Sequence, residues 1–261
     1  MSMFTIIVPT HDRPVLLART LRSLSAQTWS DFTVVVVSDS ARYVAPYAEL
    51  QALEGRYVYV LRSGHPGPAA SRNMGQRLAQ ATYLLFLDDD DSFEPDHLAV
   101  LAARLQTSQP PLLVCDFQVR HEDRSTSPPR PLGTAEGSLA DVTADSVFVR
   151  NRIPNSCVAY RRDILADIQH AQNLELYEDW DFLLQCLRSH PLAHCASAGV
   201  VIHKSAADAP ENMRRGNGSD DKIVAVMLDL YRRHPAPNPE TRLARQSLLA
   251  SAGVPVALEQ C

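Results

Sequence analysis

The 261-residue sequence has no apolar run approaching the roughly 20 residues that a membrane-spanning helix requires. That removes a helical membrane-spanning protein from consideration and leaves only peripheral attachment to a bilayer open. It also has no excess of positive charge. Its 25 Lys and Arg against 30 Asp and Glu give a net charge of −5, so there is no electrostatic footprint for nucleic acid. It has no CxxC spacing: Cys115, Cys157, Cys186, Cys195 and Cys261 are odd in number and scattered. This argues against a zinc site and a disulfide framework and fits a reducing compartment. Met1-Ser2-Met3-Phe4 leads straight into a β-type segment without a signal-peptide pattern, so the expected location is cytoplasmic. Internal repeats and low-complexity tracts are lacking too. The composition is that of a globular chain, 45% hydrophobic and 21% charged, long enough for one large α/β domain.

What the sequence does have is carboxylate concentrated in one place. Asp88-Asp89-Asp90-Asp91 follow the apolar run Tyr83-Leu84-Leu85-Phe86-Leu87. Such a run reads as a buried strand of a parallel sheet, and its abrupt end delivers the acids to the carboxyl edge of that sheet, where ligands bind in open α/β folds. Adjacent carboxylates repel unless donors or a cation offset them, and all-oxygen ligation suits Mg²⁺ or Mn²⁺. A loop followed by a helix start at Phe93-Glu94-Pro95-Asp96 would need one acid and not four. Along an extended segment Asp88 and Asp90 face one way and Asp89 and Asp91 the other.

Strands are predicted at 4–8, 32–37, 57–61, 83–87 and 112–117, and helices at 15–26, 41–53, 69–80 and 95–106. Leu17, Leu21 and Leu24 lie at helical spacing on one face. The alternation implies an α/β fold with a doubly wound, mostly parallel sheet. Asp12 and Asp39 then end neighbouring strands on the ligand edge. Arg72 lies early in its helix, where the dipole disfavours a cation, which suggests a task. The second half is less regular: 122–138 reads as a loop or insertion, 155–160 and 199–202 as strands, and 178–189, 222–233 and 241–250 as helices. The expected divisions are 1–121, 122–205, and 206–261 as a loop with terminal helices.

Four segments resemble glycosyltransferase family 2, with its GT-A fold. They are Ile6-Ile7-Val8-Pro9-Thr10-His11-Asp12-Arg13-Pro14, Pro68-Ala69-Ala70-Ser71-Arg72-Asn73-Met74-Gly75, Phe86-Leu87-Asp88-Asp89-Asp90-Asp91 and Tyr177-Glu178-Asp179-Trp180-Asp181. The resemblance implies a metal-dependent, inverting transfer from a nucleotide-sugar, expected to be a UDP-sugar, to a saccharide or other hydroxyl acceptor. It implies Asp90 as the metal ligand, Asp88 and Asp89 facing the ribose or donor sugar, and Asp179 as the general base beside Glu178. Pro9, Thr10, Asp12, Arg13 and Asp39 would line the nucleotide, with Thr10 and Asp39 on the base. Arg72 would hold the base or the phosphates, and His203 would reach the metal or diphosphate. Strand two departs from the family's Asp-Asp-Gly-Ser ending, reading Ser38-Asp39-Ser40-Ala41. The polar stretch 206–221 is expected to be a lid whose Arg214 and Arg215 meet the diphosphate.

Two rivals are separable. A sugar-phosphate nucleotidyltransferase would want a glycine-rich basic loop after strand one, where this chain has none. A non-catalytic nucleotide-sugar-binding subunit would keep the aspartates and lose the base, whereas Glu178-Asp179 is present.

Overall fold

The computed structural model describes residues 2–41, 45–126, 129–205 and 220–261. β1 (Phe4–Thr10) and β2 (Phe32–Ser38) are β-branched and apolar, and both are buried on both faces. Between them α1 (Pro14–Ser25) buries the Leu17, Leu21 and Leu24 stripe, with Pro14 at its first turn where a missing N–H costs nothing. Of the helix expected over 41–53, residues 42–44 lie outside the described residues, and the described part holds α2 (Tyr47–Gln51), which begins directly after Pro46. A proline disfavours helical geometry in the residue before it. β3 (Tyr57–Leu61) follows as the exposed edge of the sheet, and then α3 (Pro68–Leu78). Gly75 of α3 lets that helix lie directly on β1, where a Cβ would stand 2.4 Å from Ile7 Cγ2.

β4 (Tyr83–Phe86) ends just before the aspartates. The expected helix start at Phe93 is instead a two-residue strand, β5 (Ser92–Phe93), and α4 (His97–Thr107) begins after Asp96. Most of the loop or insertion expected over 122–138 is strand instead. β6 (Leu112–Asp123) runs on to Asp123, and β7 (Arg130–Gly137) pairs back on it antiparallel. Pro131 and Gly133 disguise β7, and both are tolerated because it lies off the main strand path, on the edge of β6. α5 (Ala144–Val149) and β8 (Val158–Arg161) precede α6 (Glu178–Leu187). The strand expected at 199–202 is much longer, β9 (Leu192–Ser205). α7 (Asp220–Arg233) and α8 (Pro239–Ser251) follow, and a short turn at Leu258–Gln260 ends the chain.

The strand order is β3-β2-β1-β4-β8-β6-β9-β5, with β7 added to β6. The β3-β2-β1-β4 half is parallel, as the strand–helix alternation requires. β8 runs antiparallel to both β4 and β6, and β5 is antiparallel to β9, so the second half is mixed. β6 and β9 are parallel along most of their length. One core spans both halves, with Phe86, Tyr160 and Phe182 in mutual edge-to-face contact at 5.3–5.7 Å. Among the described residues no helix is long and apolar enough to cross a membrane.

Candidate active site

The aspartate turn is shaped from beneath by α1. Thr20 Oγ1 donates to the carbonyls of Asp89 (3.0 Å) and Asp91 (2.7 Å), and Arg19 Nη2 to that of Asp90 (2.7 Å). The expected alternation holds: Asp89 and Asp91 are buried, while Asp88 and Asp90 keep access to solvent. Asp89 therefore turns inward. It accepts from Thr10 Oγ1 at 2.8 Å and pairs with Arg13 at 3.2 Å. Burial above all raises its carboxyl to about 6, opposed by Arg13. Asp91 is not a helix cap. It accepts from Ser156 Oγ at 2.7 Å, and burial followed by Asp90 and Asp88 holds it well above the usual carboxylate range.

At the carboxyl edge of β1 and β2 lies a cleft of about 280 Å³ lined by Thr10, Asp12, Arg13, Ser38, Ser40 and Tyr59. Asp12 sits in left-handed backbone (φ 49°) and accepts from Ser40 Oγ. Pro9 is buried within β1 opposite Val37. Asp39 is turned away from open solvent and fully engaged. It accepts from Gly67 N–H at 2.6 Å, pairs with Arg62 at 3.0 Å, and lies 2.7 Å from His11 Nδ1. It thus fixes the loop that opens α3. Sequence reasoning missed Arg62 and Tyr59. Both follow from position, because strand three also ends at, or points into, the ligand edge.

Arg72 is nearly fully buried and bridges two motifs. Its Nη2 donates to Asp88 at 2.7 Å and its Nη1 to Glu178 at 3.0 Å. Asp179 follows Glu178 in the first turn of α6, entered through Tyr177 at φ 62°. Half-buried, Asp179 accepts from Trp180 N–H at 2.7 Å. Burial and then Glu178 raise its carboxyl to about 6, against the lowering influence of Arg72. Asp181 faces the other way, bound to His234 at 2.8 Å and Gln185 at 2.8 Å in the core. It anchors α7 to α6 and is unavailable for chemistry.

His203 sits at the end of β9, its Nε2 2.8 Å from Ser92 Oγ and its Nδ1 3.3 Å from Glu122. Burial lowers it to about 4, so it is neutral near pH 7. Glu122 is gripped by Arg19 (2.8 Å) and Arg124 (2.7 Å), and Arg124 stands 3.8 Å from the Asp90 carboxylate. The one local sign of this network in the sequence is the alternation of Arg120 and Glu122 in β6, and Arg124 lies just past the strand. Among the described residues no group of three or more His, Cys, Asp or Glu side chains is arranged to hold a metal. The donor set suits a shared ion all the same. Mg²⁺ is commonly held by one or two carboxylates together with substrate phosphates, and Asp90 offers one at the edge. His203 would have to leave Ser92 or Glu122 to join it. Arg214 and Arg215, and 206–219 of the expected lid, lie outside the described residues.

A parallel half-sheet with an acid turn at its edge, joined to a mixed second half that brings an acid pair from α6, is the arrangement of a GT-A glycosyltransferase fold. Residues 5–207 match the family described as glycosyl transferase family 2, and the chain belongs to that family. Among its relatives, a PGL/p-HBAD biosynthesis glycosyltransferase of Mycobacterium tuberculosis (strain ATCC 25177 / H37Ra) is 30% identical over 210 residues, covering 77% of this chain and 75% of the relative. An uncharacterized glycosyltransferase of Bacillus subtilis, YwdF, is 25% identical over 221 residues, 84% of this chain and 80% of its own. The fold is shared with S. aureus TarS 1–349 in complex with UDP-GlcNAc (TM-score 0.68, 17% identity, 95% of this chain and 71% of that one). It is also shared with the mannosyltransferase PcManGT from Pyrobaculum calidifontis in complex with GDP-Man and Mn²⁺ (TM-score 0.59, 15% identity, 99% and 77%).

Proposed function

We propose that this glycosyltransferase moves a sugar from a UDP-sugar to a hydroxyl acceptor, inverting the anomeric centre and using Mn²⁺ or Mg²⁺. The observation that carries the proposal is the Arg72 bridge, which brings the base-bearing turn of α6 to the aspartate turn of β4. The cleft at the β1–β2 edge would receive the nucleoside. Asp90 would hold the ion jointly with the diphosphate, and the ion's charge would stabilise the departing nucleoside diphosphate. Asp88, partly exposed beside it, would face the ribose or donor sugar.

Asp179 would take the proton of the acceptor hydroxyl. The acceptor oxygen would then bond to the anomeric carbon on one face as the carbon–oxygen bond to the diphosphate breaks on the other. A carboxyl held at about 6 is ionised near pH 7 while remaining more basic than a free aspartate, which suits a general base. The nucleotide choice is supported by the likeness to the TarS complex with UDP-GlcNAc.

The test is release of nucleoside diphosphate from UDP-, GDP- and dTDP-sugars with each ion, together with calorimetry of UDP with Mn²⁺ and with EDTA. Release from UDP-sugars and metal-strengthened UDP binding are expected, with Asp90→Ala losing most of the metal dependence. Preference for a GDP-sugar would overturn the donor, and equal UDP affinity in EDTA would overturn the ion. Asp179→Asn should keep UDP affinity and lose about 10²–10⁴-fold in turnover. Near-normal turnover would remove Asp179 as base.

A further inference from the structure

We infer that Arg72 is a positioning residue: its guanidinium is the strut that sets the base-bearing turn of α6 against the aspartate turn of β4, and it does not contact the donor. The inference rests on the reading of Asp179 as the base. Three observations carry it.

Both terminal nitrogens of the guanidinium are already committed, to Asp88 at 2.7 Å and to Glu178 at 3.0 Å, while Nε is buried without a partner and the side chain is only 6% exposed. A planar fork with two fixed carboxylate partners defines a distance between them, which a flexible ammonium would not. Next, the rest of the same helix face grips the segment that leads into α6. Asn73 and His170 exchange reciprocal bonds, Nδ2 to the carbonyl and N–H to Oδ1, each 2.8 Å. Gln76 Nε2 donates to the carbonyls of Leu165 (3.0 Å) and Ile168 (2.8 Å). Three residues of α3, at 72, 73 and 76, thus staple 165–178 to that helix. Third, the turn needs holding: Tyr177 lies in left-handed backbone at φ 62°, a conformation costly for a residue with a side chain. Tyr177 at the N-cap makes no side-chain hydrogen bond to this end of α6, and Glu178 ties it through Arg72 to α3.

The charged and titratable groups around Asp179 make the role measurable. Arg72 comes from α3, Asp88 from the turn after β4, Tyr160 from β8, and Glu178 and Tyr177 from the same turn. His170, next to Arg72, is held neutral by burial. Arg72 is the cation in this set and, with the Trp180 N–H, favours the ionised base, while Glu178 opposes ionisation.

The experiment compares Arg72→Met, Arg72→Lys, Glu178→Gln and Asp179→Asn. UDP affinity is measured by calorimetry with Mn²⁺, and UDP release from UDP-N-acetylglucosamine is followed across pH 5–9. Displacing a catalytic group by about 1 Å can cost on the order of 100-fold, so Arg72→Met should lower kcat about 10- to 100-fold with UDP affinity changed by less than about threefold. Arg72→Lys should recover part of the loss. The acid limb of the profile should move to higher pH in Arg72→Met, because the cation is gone, and to lower pH in Glu178→Gln, because an anion is gone, while both lower kcat. Loss of UDP affinity with kcat intact at saturating donor would make Arg72 a donor ligand and overturn the inference. An unmoved acid limb would overturn it too. If Arg72→Met does not fold, the Lys and Gln variants carry the same opposed outcomes. If Asp179→Asn keeps its turnover, the base reading fails and the inference falls with it. If Asp179→Asn is inactive and the Arg72 variants are normal, the inference alone falls.

Discussion

Replacing Gly75 with alanine tests how tightly α3 is seated, because everything α3 holds depends on that seating. The new Cβ would stand 2.4 Å from Ile7 Cγ2, 3.2 Å from its Cγ1 and 3.3 Å from its Cβ. Ile7 cannot retreat. It is fully buried, and its strand is paired on both sides, opposite Val35 in β2 and Phe86 in β4. Two effects compete. Alanine is favoured over glycine in a helix interior by about 1 kcal/mol, whereas overpacking a filled core costs about 1–3 kcal/mol. With a contact this short against a β-branched side chain, the second effect wins, and the expected net loss is about 1–2 kcal/mol. Urea unfolding of Gly75→Ala, Ile7→Ala and the double variant measures it. Ile7→Ala alone should cost about 2–5 kcal/mol. In the double variant the added methyl occupies space the isoleucine vacated, so the cycle should show a favourable coupling of about 1–3 kcal/mol. Because Gly75 lies three residues beyond Arg72 on the same helix, the single variant should also lose turnover. A Gly75→Ala protein as stable as the parent, or costs that simply add, would refute the reasoning.

Two further outcomes follow from buried polar groups away from the reacting atoms. His97 is fully buried, makes no hydrogen bond through either ring nitrogen, and is pushed down by burial from 6.5 to about 3. Its folded-state value lies below its unfolded one, so the stability it contributes is complete above pH 6.5 and is lost as pH falls toward 3. In His97→Leu the stability gap to the parent should move in the variant's favour by roughly 2–3 kcal/mol between pH 7.5 and 4.5, read from urea midpoints. A pH-independent gap would contradict this. Asp181→Ala leaves His234 and Gln185 without their buried acceptor and should cost about 1–3 kcal/mol of stability. A loss of turnover with unchanged stability would instead place Asp181 in the chemistry.

The sequence by itself determined the parallel half of the sheet and what stands at its edge. The runs Phe4–Val8, Phe32–Val37 and Tyr83–Leu87 are apolar and β-branched, and such runs have few options besides a strand buried on both faces. Their ends are therefore fixed in space relative to one another, and Asp12, Asp39 and Asp88–Asp91 inherit that placement. The period of two within the aspartates also sorted them correctly into buried and accessible pairs, because the pleat acts residue by residue.

What the sequence left undetermined is everything set by contacts between distant segments. β7 has no strand pattern of its own and exists because β6 offers it an edge. β9 is long because β6 runs alongside it, which neither sequence signals alone. The roles of individual side chains were decided in the same way. Asp39 and Asp89 are bonded to Arg62, Gly67, His11, Thr10 and Arg13, all distant from them in sequence. Arg72, read as a donor contact from its misfit with the helix dipole, found its partners 16 and 106 residues further along the chain. A charge's partner is a matter of three-dimensional proximity, and local sequence records the need for one without saying which it will be.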